Sequence, residues 1–253
     1  MSSSILSRSI FFTSSSRASS SLFISRNLSS HAYLPSSSSS QAGPSSTSST
    51  TSAATDILIE ATTTTPNNLT IEQKQLIDSI IRVDQAGELG ANWIYRGQKW
   101  AMDLKGDKET SKQVEEMWEN ERHHLNILSK LQNQHKVRPT LLYPLWQVMA
   151  FGLGASTGLL SKEAAMACTE AVETVIGEHY DDQLKSIQNL INVENPHPSL
   201  PLMANILKEF RDDELEHLDT AVEEGAQKAP GHSLLSAIIG VGCKVAIKVC
   251  EKV

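Results

Sequence analysis

The feature that most restricts this chain is a pair of Glu-x-x-His steps set in helical apolar stripes, Glu121-Arg-His-His124 and Glu214-Leu-Glu-His217. In a helix, positions i and i+3 share a face, so each step points one carboxylate and one imidazole the same way. That way is inward: Val114, Met117 and Leu128 share the face of Glu121, and Leu207, Phe210 and Ala221 that of Glu214. A third step, Glu194-Asn-Pro-His197, contains proline and reads as a turn. Two further acids repeat the pattern. Glu88 lies with Ile77, Ile81, Ala91 and Tyr95, and Glu173 is flanked by Met166, Thr169, Ile176 and Tyr180. A carboxylate buried among aliphatic groups is costly, and a bound cation removes that cost. In chain order the acids read Glu, Glu-x-x-His, Glu, Glu-x-x-His, a loose duplication.

The surrounding periodicity is helical, with no alternating strand pattern. The first helix is predicted from about Thr70, where T-I-E-Q forms a capping box, to about 103, weakened by Gly87, Gly90 and Gly97. A second covers about 108–134, a third about 161–191 with Ser161 as N-cap, and a fourth about 199–227; an apolar segment, 232–250, follows. The fold expected is all-α, a ferritin-like four-helix bundle with an added apolar, membrane-associating helical segment. Bundles of that class hold di-iron or di-manganese centres with this ligand order. Carboxylate and imidazole ligands suit Fe or Mn. An uncharged run, 139–161, leaves three readings open: an interfacial helix, a buried core helix or a membrane span.

Neighbours of the six residues offer candidate supports. Asp213 stands four residues before His217 and Asn120 four before His124, where either could hold an imidazole through its second nitrogen. Asp84 could assist Glu88 or pair with Arg82 or Arg96; Tyr180 could line the site, and His179 reads as peripheral. Trp93, Trp100 and Trp118 read as core or interface residues.

Residues 1–55 carry Arg8, Arg17 and Arg26, no Lys and no acid, in a Ser-rich background with short apolar runs. That is the composition of an organelle transit peptide. Residues 1–66 are therefore expected to be transit peptide and disordered Ser/Thr-rich linker, and 67–253 a di-iron carboxylate helical-bundle domain. The net charge of −7 argues against nucleic acid as a partner. Three cysteines at irregular spacing give no disulfide framework. No G-x-G-x-x-G follows a strand, so no Rossmann site is visible.

The blocks RVDQAGELGANWIYRGQ (82–98), MWENERHHL (117–125), SKEAAMACTEAVETVIGEHYDDQL (161–184) and EFRDDELEHLDTAVEEGA (209–226) resemble the demethoxyubiquinone hydroxylase family of di-iron monooxygenases. The resemblance covers about 70–253. It implies metal ligation and catalysis by Glu88, Glu121, His124, Glu173, Glu214 and His217, with two Fe ions, O2 as co-substrate and NADH as electron source. It also implies hydroxylation of a polyprenyl quinone substrate in ubiquinone biosynthesis, peripherally on the matrix side of the mitochondrial inner membrane. A lipid-binding partner protein and a ubiquinone-synthesis complex belong to the same implication. The bundle alone leaves other readings: a ferroxidase or iron-storage protein, against which the long apolar insert argues; a membrane-bound di-iron quinol oxidase; and a non-enzymatic scaffold, against which the complete set of six ligands argues.

Overall fold

The computed structural model describes residues 68–253; the leader and linker expected over 1–66 lie outside the described residues. Among the described residues there are six α-helices and no strand. They are α1 (Ile71–Lys105), α2 (Lys108–His135), α3 (Tyr143–Leu160), α4 (Lys162–Ile191), α5 (Ser199–Glu223) and α6 (His232–Cys250).

Local chemistry sets most of the ends. Thr70 accepts from the Gln73 amide at 3.2 Å while Gln73 accepts from the Thr70 amide at 2.9 Å, completing the predicted capping box. Ser161 caps α4 through the Ala164 amide at 3.0 Å. Gly106, at φ 75°, turns the chain from α1 directly into α2, so the two run antiparallel. The fourth predicted helix ends earlier than the sequence suggests. α5 stops at Glu223, Gly225 takes φ 94°, and a 3-10 turn spans Ala226–Lys228.

α1, α2, α4 and α5 form the bundle. Ile77, Ile81, Leu128, Leu207 and Phe210 fill one end of its core. Ala91, Tyr95, Val114, Met117, Met166 and Ala221 fill the other. Along every helix, the residues between these two clusters are the acids and histidines singled out above. The polar layer is thus sealed by apolar side chains above and below.

The glycines expected to weaken the first helix do not interrupt it, and one of them, Gly97, admits α3. A Cβ on Gly154 would overlap the Ile94 carbonyl oxygen, and one on Gly97 would lie 2.6 Å from the Ala155 nitrogen. At Gly158 it would lie 2.7 Å from the Ala101 side chain. α3 therefore rests backbone to backbone on α1. Trp93 and Trp100 close on Phe151, with centroids 6.3 and 6.0 Å away, and Lys105 bonds the Gly158 carbonyl at 2.7 Å. The opposite face of α3 is bare, with Val148 73% and Met149 55% exposed.

α6 is held more lightly. Only Ile239 and Cys250 are buried in it. His232 pairs with Glu170 at 2.6 Å and Lys244 with Glu178 at 3.1 Å. Leu234, Ile238, Val241 and Val245 are exposed. Among the described residues this helix, not the 139–161 run, is the one long and apolar enough to cross a membrane.

A side chain at Gly154 must push two backbones apart. Gly154→Val should destabilise the fold by about 1–3 kcal/mol or more, whereas Gly152→Ala, which meets nothing within 4 Å, should be neutral or slightly stabilising. Urea denaturation of both variants checks this; equal midpoints would rule out the tight seam.

Candidate metal centre

The six predicted residues converge. Glu88 comes from α1, Glu121 and His124 from α2, Glu173 from α4, and Glu214 and His217 from α5; all are buried. Their donor atoms form two groups, each within 4.8 Å: Glu88, Glu121, His124 and Glu214, then Glu121, Glu173, Glu214 and His217. Glu121 and Glu214 belong to both. Each histidine turns Nδ1 to the centre. His124 Nδ1 lies 3.5 Å from Glu88 and 3.4 Å from Glu214. His217 Nδ1 lies 3.1 Å from Glu121 and 3.2 Å from Glu214.

The donor set fits a cation. Glu88 Oε2, both Glu121 carboxylate oxygens and His124 Nδ1 are buried without a hydrogen bond, an arrangement native cores avoid. Two shared carboxylates between two four-donor groups could hold a pair of metal ions, one in each.

Without a cation, protons must offset the charge. Burial pushes the Glu121 carboxyl well above its usual range, and Glu214, Glu88 and Glu173 push it further. Glu173 is raised likewise, by burial and then by Glu214. Burial also pushes Glu214 up, but pairing with His124 and His217 overcomes this and holds it at about 2. Burial lowers His124, yet Glu214 and Glu88 carry it to about 12. His217 is raised against its burial by Glu214.

A ring of hydrogen bonds orients the centre, and it is reciprocal. Tyr180 on α4 donates to Glu88 on α1 at 2.5 Å. Tyr95 on α1 donates to Glu173 on α4 at 2.7 Å. Gln183 reaches Asp84 at 2.6 Å, and Gln98 reaches Thr169 at 3.2 Å. Glu88, Tyr95 and Gln98 thus recur at the same spacing as Glu173, Tyr180 and Gln183. That repeated spacing was the available signal for Tyr95, which sequence reasoning placed on the Glu88 face as an apolar neighbour.

The histidines are held from the facing helix, not from four residues back on their own. His124 Nε2 meets Asp213 of α5 at 3.0 Å, and His217 Nε2 meets Asn120 of α2 at 3.3 Å. With Nδ1 aimed at the centre, Nε2 necessarily points across the interface. Phe210 stacks on His124 at 4.0 Å.

Asp84 pairs with neither Arg82 nor Arg96; besides Gln183 it faces His179 at 3.5 Å. Asn92 escaped the sequence reading. Its Nδ2 donates to the carbonyls of Glu88 (2.9 Å) and Glu121 (2.8 Å), while its Oδ1 accepts from Trp118 at 3.0 Å. It ties the backbones of α1 and α2 together at the acids they carry. His197 stays in the loop before α5, accepting from the Ser199 amide at 3.2 Å.

Beside the centre, α1, α3, α4 and α6 enclose an apolar cavity of about 330 Å³, lined by Ile94, Leu153, Val172, Ile239 and Cys243 among others. A smaller void of about 20 Å³ touches Glu88, Asp84, His179 and Tyr180. Val83, Gly87, Ile176 and Ile247 line both, so the cavity leads toward Glu88. Burial raises the Cys243 thiol to about 11, which keeps this wall neutral.

The family model described as ubiquinone biosynthesis protein COQ7 matches residues 75–250. The mitochondrial 5-demethoxyubiquinone hydroxylase of Saccharomyces cerevisiae is 43% identical over 192 residues, 74% of this chain and 82% of that protein. The mitochondrial NADPH-dependent 3-demethoxyubiquinone 3-hydroxylase of Mus musculus is 45% identical over 176 residues, 70% and 77% of the two chains. The 3-demethoxyubiquinol 3-hydroxylase of Rhodospirillum rubrum is 44% identical over 179 residues, 70% and 79%.

The raised groups give a signed pH dependence. Glu121, Glu173, His124 and His217 bind protons more tightly folded than unfolded, so their stabilisation is full at low pH and is lost as pH rises. Glu214 acts oppositely, losing its contribution only as pH falls toward about 2. Chelator-stripped protein should therefore melt at lower temperature as pH rises from about 5.5 to 8.5, and metal-loaded protein should show a shallower slope. Circular-dichroism melts across that range check it; a flat profile for stripped protein would contradict it.

Proposed function

The chain belongs to the family of ubiquinone biosynthesis protein COQ7, and on that premise we propose that it hydroxylates the ring of demethoxyubiquinone. The observation that carries this reading is the buried double carboxylate–histidine cluster beside an apolar cavity. A ferroxidase or storage bundle has no use for the cavity.

In this reading Glu88, Glu121, His124, Glu173, Glu214 and His217 would hold two irons, Glu121 and Glu214 being the residues common to both donor groups. When bound, the iron pair supplies the redox chemistry that activates O2 for hydroxylation of a ring carbon. The side chains do the rest. Tyr180 and Tyr95 fix one oxygen each of Glu88 and Glu173, leaving the others free toward the metals. Asp213 and Asn120 fix the imidazole planes. The cavity between α1, α3, α4 and α6 takes the prenyl tail next to the ring and excludes water. Its walls carry no charged side chain.

Replacing one ring C–H by C–OH with O2 consumes two electrons and two protons and releases one water. The family resemblance implies NADH as their source, whereas the mouse relative is named NADPH-dependent. A reduced nicotinamide is common to both. No strand occurs among the described residues, so a dinucleotide held by them would bind without a βαβ unit.

The bare faces of α3 and α6 suit a peripheral seat on the mitochondrial inner membrane, matrix side. α6 is long enough to span, but it lines the cavity with Ile239 and Cys243 and pairs with α4, which favours lying on the surface. The Arg-bearing leader over 1–66 would deliver the 67–253 domain there. The yeast and mouse relatives carry "mitochondrial" in their names. A lipid-binding partner protein and a ubiquinone-synthesis complex complete the proposal through the family.

The detergent-purified chain should carry about two irons and convert demethoxyubiquinone with O2 and reduced nicotinamide. Glu173→Ala should abolish turnover while the helix content stays. Two irons with O2 uptake but no hydroxylated quinone would replace this reading with an oxidase. Gly90→Leu projects into open cavity space. It should cut turnover about tenfold or more through substrate binding while iron content is unchanged; unchanged KM would move the tail elsewhere.

A further inference from the structure

The reciprocal ring around the centre is an approximate twofold repeat, and the places where it breaks carry information. Glu88 matches Glu173, Tyr95 matches Tyr180, Gln98 matches Gln183, and Glu121 with His124 match Glu214 with His217. Two positions do not match in chemistry. The outer nitrogen of His124 faces a carboxylate, Asp213, whereas that of His217 faces an amide, Asn120. One helical turn before Glu88 stands Asp84, whereas one turn before Glu173 stands Thr169. Both extra carboxyl groups fall on the same half, that of Glu88 and His124.

We infer, on the reading that the cluster binds metal, that its two halves do so unequally. The group of Glu88, Glu121, His124 and Glu214 fills first and holds its ion tighter than the group of Glu121, Glu173, Glu214 and His217. The physical reason lies in the second imidazole nitrogen. A histidine that binds through Nδ1 carries its proton on Nε2. Asp213 accepts that proton's hydrogen bond at 3.0 Å with a full negative charge, which strengthens electron donation from Nδ1. Asn120 must turn its amide oxygen to the corresponding proton on His217 and offers only a dipole, at 3.3 Å. Phe210 adds to the difference: it stacks on His124 at 4.0 Å and pins that ring, whereas the aromatic neighbour of His217 is Tyr95, edge-on at 6.0 Å. Asp84, with Oδ2 buried and unbonded, adds a further oxygen-rich group behind Glu88. Asp213 and Asn120 act through the histidines and are positioning residues, not ligands.

The test is a titration of the chelator-stripped full chain in detergent with Co(II) alone, followed by d–d absorption and by competition with a chelator of known affinity. Wild type should bind two equivalents with affinities about tenfold to a hundredfold apart. Asp213→Asn should weaken the tight step by a similar factor and bring the two together. Asn120→Asp, nearly isosteric, should instead strengthen the weak step, and the double exchange should narrow the gap from both sides. His124→Ala should leave one weak equivalent and His217→Ala one tight equivalent; circular dichroism establishes that each variant is folded. Equal affinities in these two single-site variants, or a folded Asp213→Asn with its tight step intact, would overturn the inequality while leaving the metal centre standing. A folded wild-type chain that binds no Co(II) would overturn the metal centre itself.

Discussion

Four carboxylates buried in one apolar layer repel one another, and the bundle is arranged around that repulsion. Glu88, Glu121, Glu173 and Glu214 come from four different helices, α1, α2, α4 and α5, so no helix contributes more than one of them. Apolar clusters above and below the layer keep water out, which makes each unpaired charge expensive and each paired one strong. The two histidines and two tyrosines supply the donors that a protein can offer from within. What they leave unmet, at Glu88 Oε2, Glu121 and His124 Nδ1, is what a bound cation would meet.

The same logic explains why the outer ring crosses between helices. A tyrosine or carboxylate on the ligand's own helix would fix a side chain only relative to its own backbone. A partner on the facing helix fixes the two helices relative to each other, so the bonds of Tyr95, Tyr180, Asp213 and Asn120 hold the interhelical spacing that the centre requires. Asn92 does this between the peptide carbonyls of α1 and α2, beneath the carboxylates themselves.

Much of this was legible before any coordinates. Helical periodicity and capping located the four long helices to within a few residues, because those signals are local. The six cluster residues stood out because buried acids at helical spacing are chemically anomalous. The rest depends on what faces what. The exchange of Asp213 and Asn120 between histidines cannot be read from i−4 spacing, since it follows from how α2 meets α5. Asn92 bonds backbone carbonyls, which leave no mark in a sequence. Gly97 looked like a helix weakness because its contribution, room for α3, exists only once α3 is in place. The end of α5 at Glu223 followed from Gly225 adopting a left-handed conformation, an option that glycine always has but does not always take.

The unequal attachment of α3 and α6 has a mechanical consequence. α3 is seated on α1 at atomic contact through Gly97, Gly154 and Gly158, and α1 carries Glu88. These two helices form one firmly packed unit that includes part of the polar layer. α6 meets the same cavity through a few aliphatic contacts and two ion pairs at its flank, and it hangs from Gly231 at φ 68°. It is the less firmly seated wall of the cavity. A ligand thicker than the cavity is therefore expected to be admitted by outward travel of α6, leaving the distance between cavity floor and cluster unchanged. The ring of a long-tailed molecule would reach the same depth whatever the girth of the tail behind it.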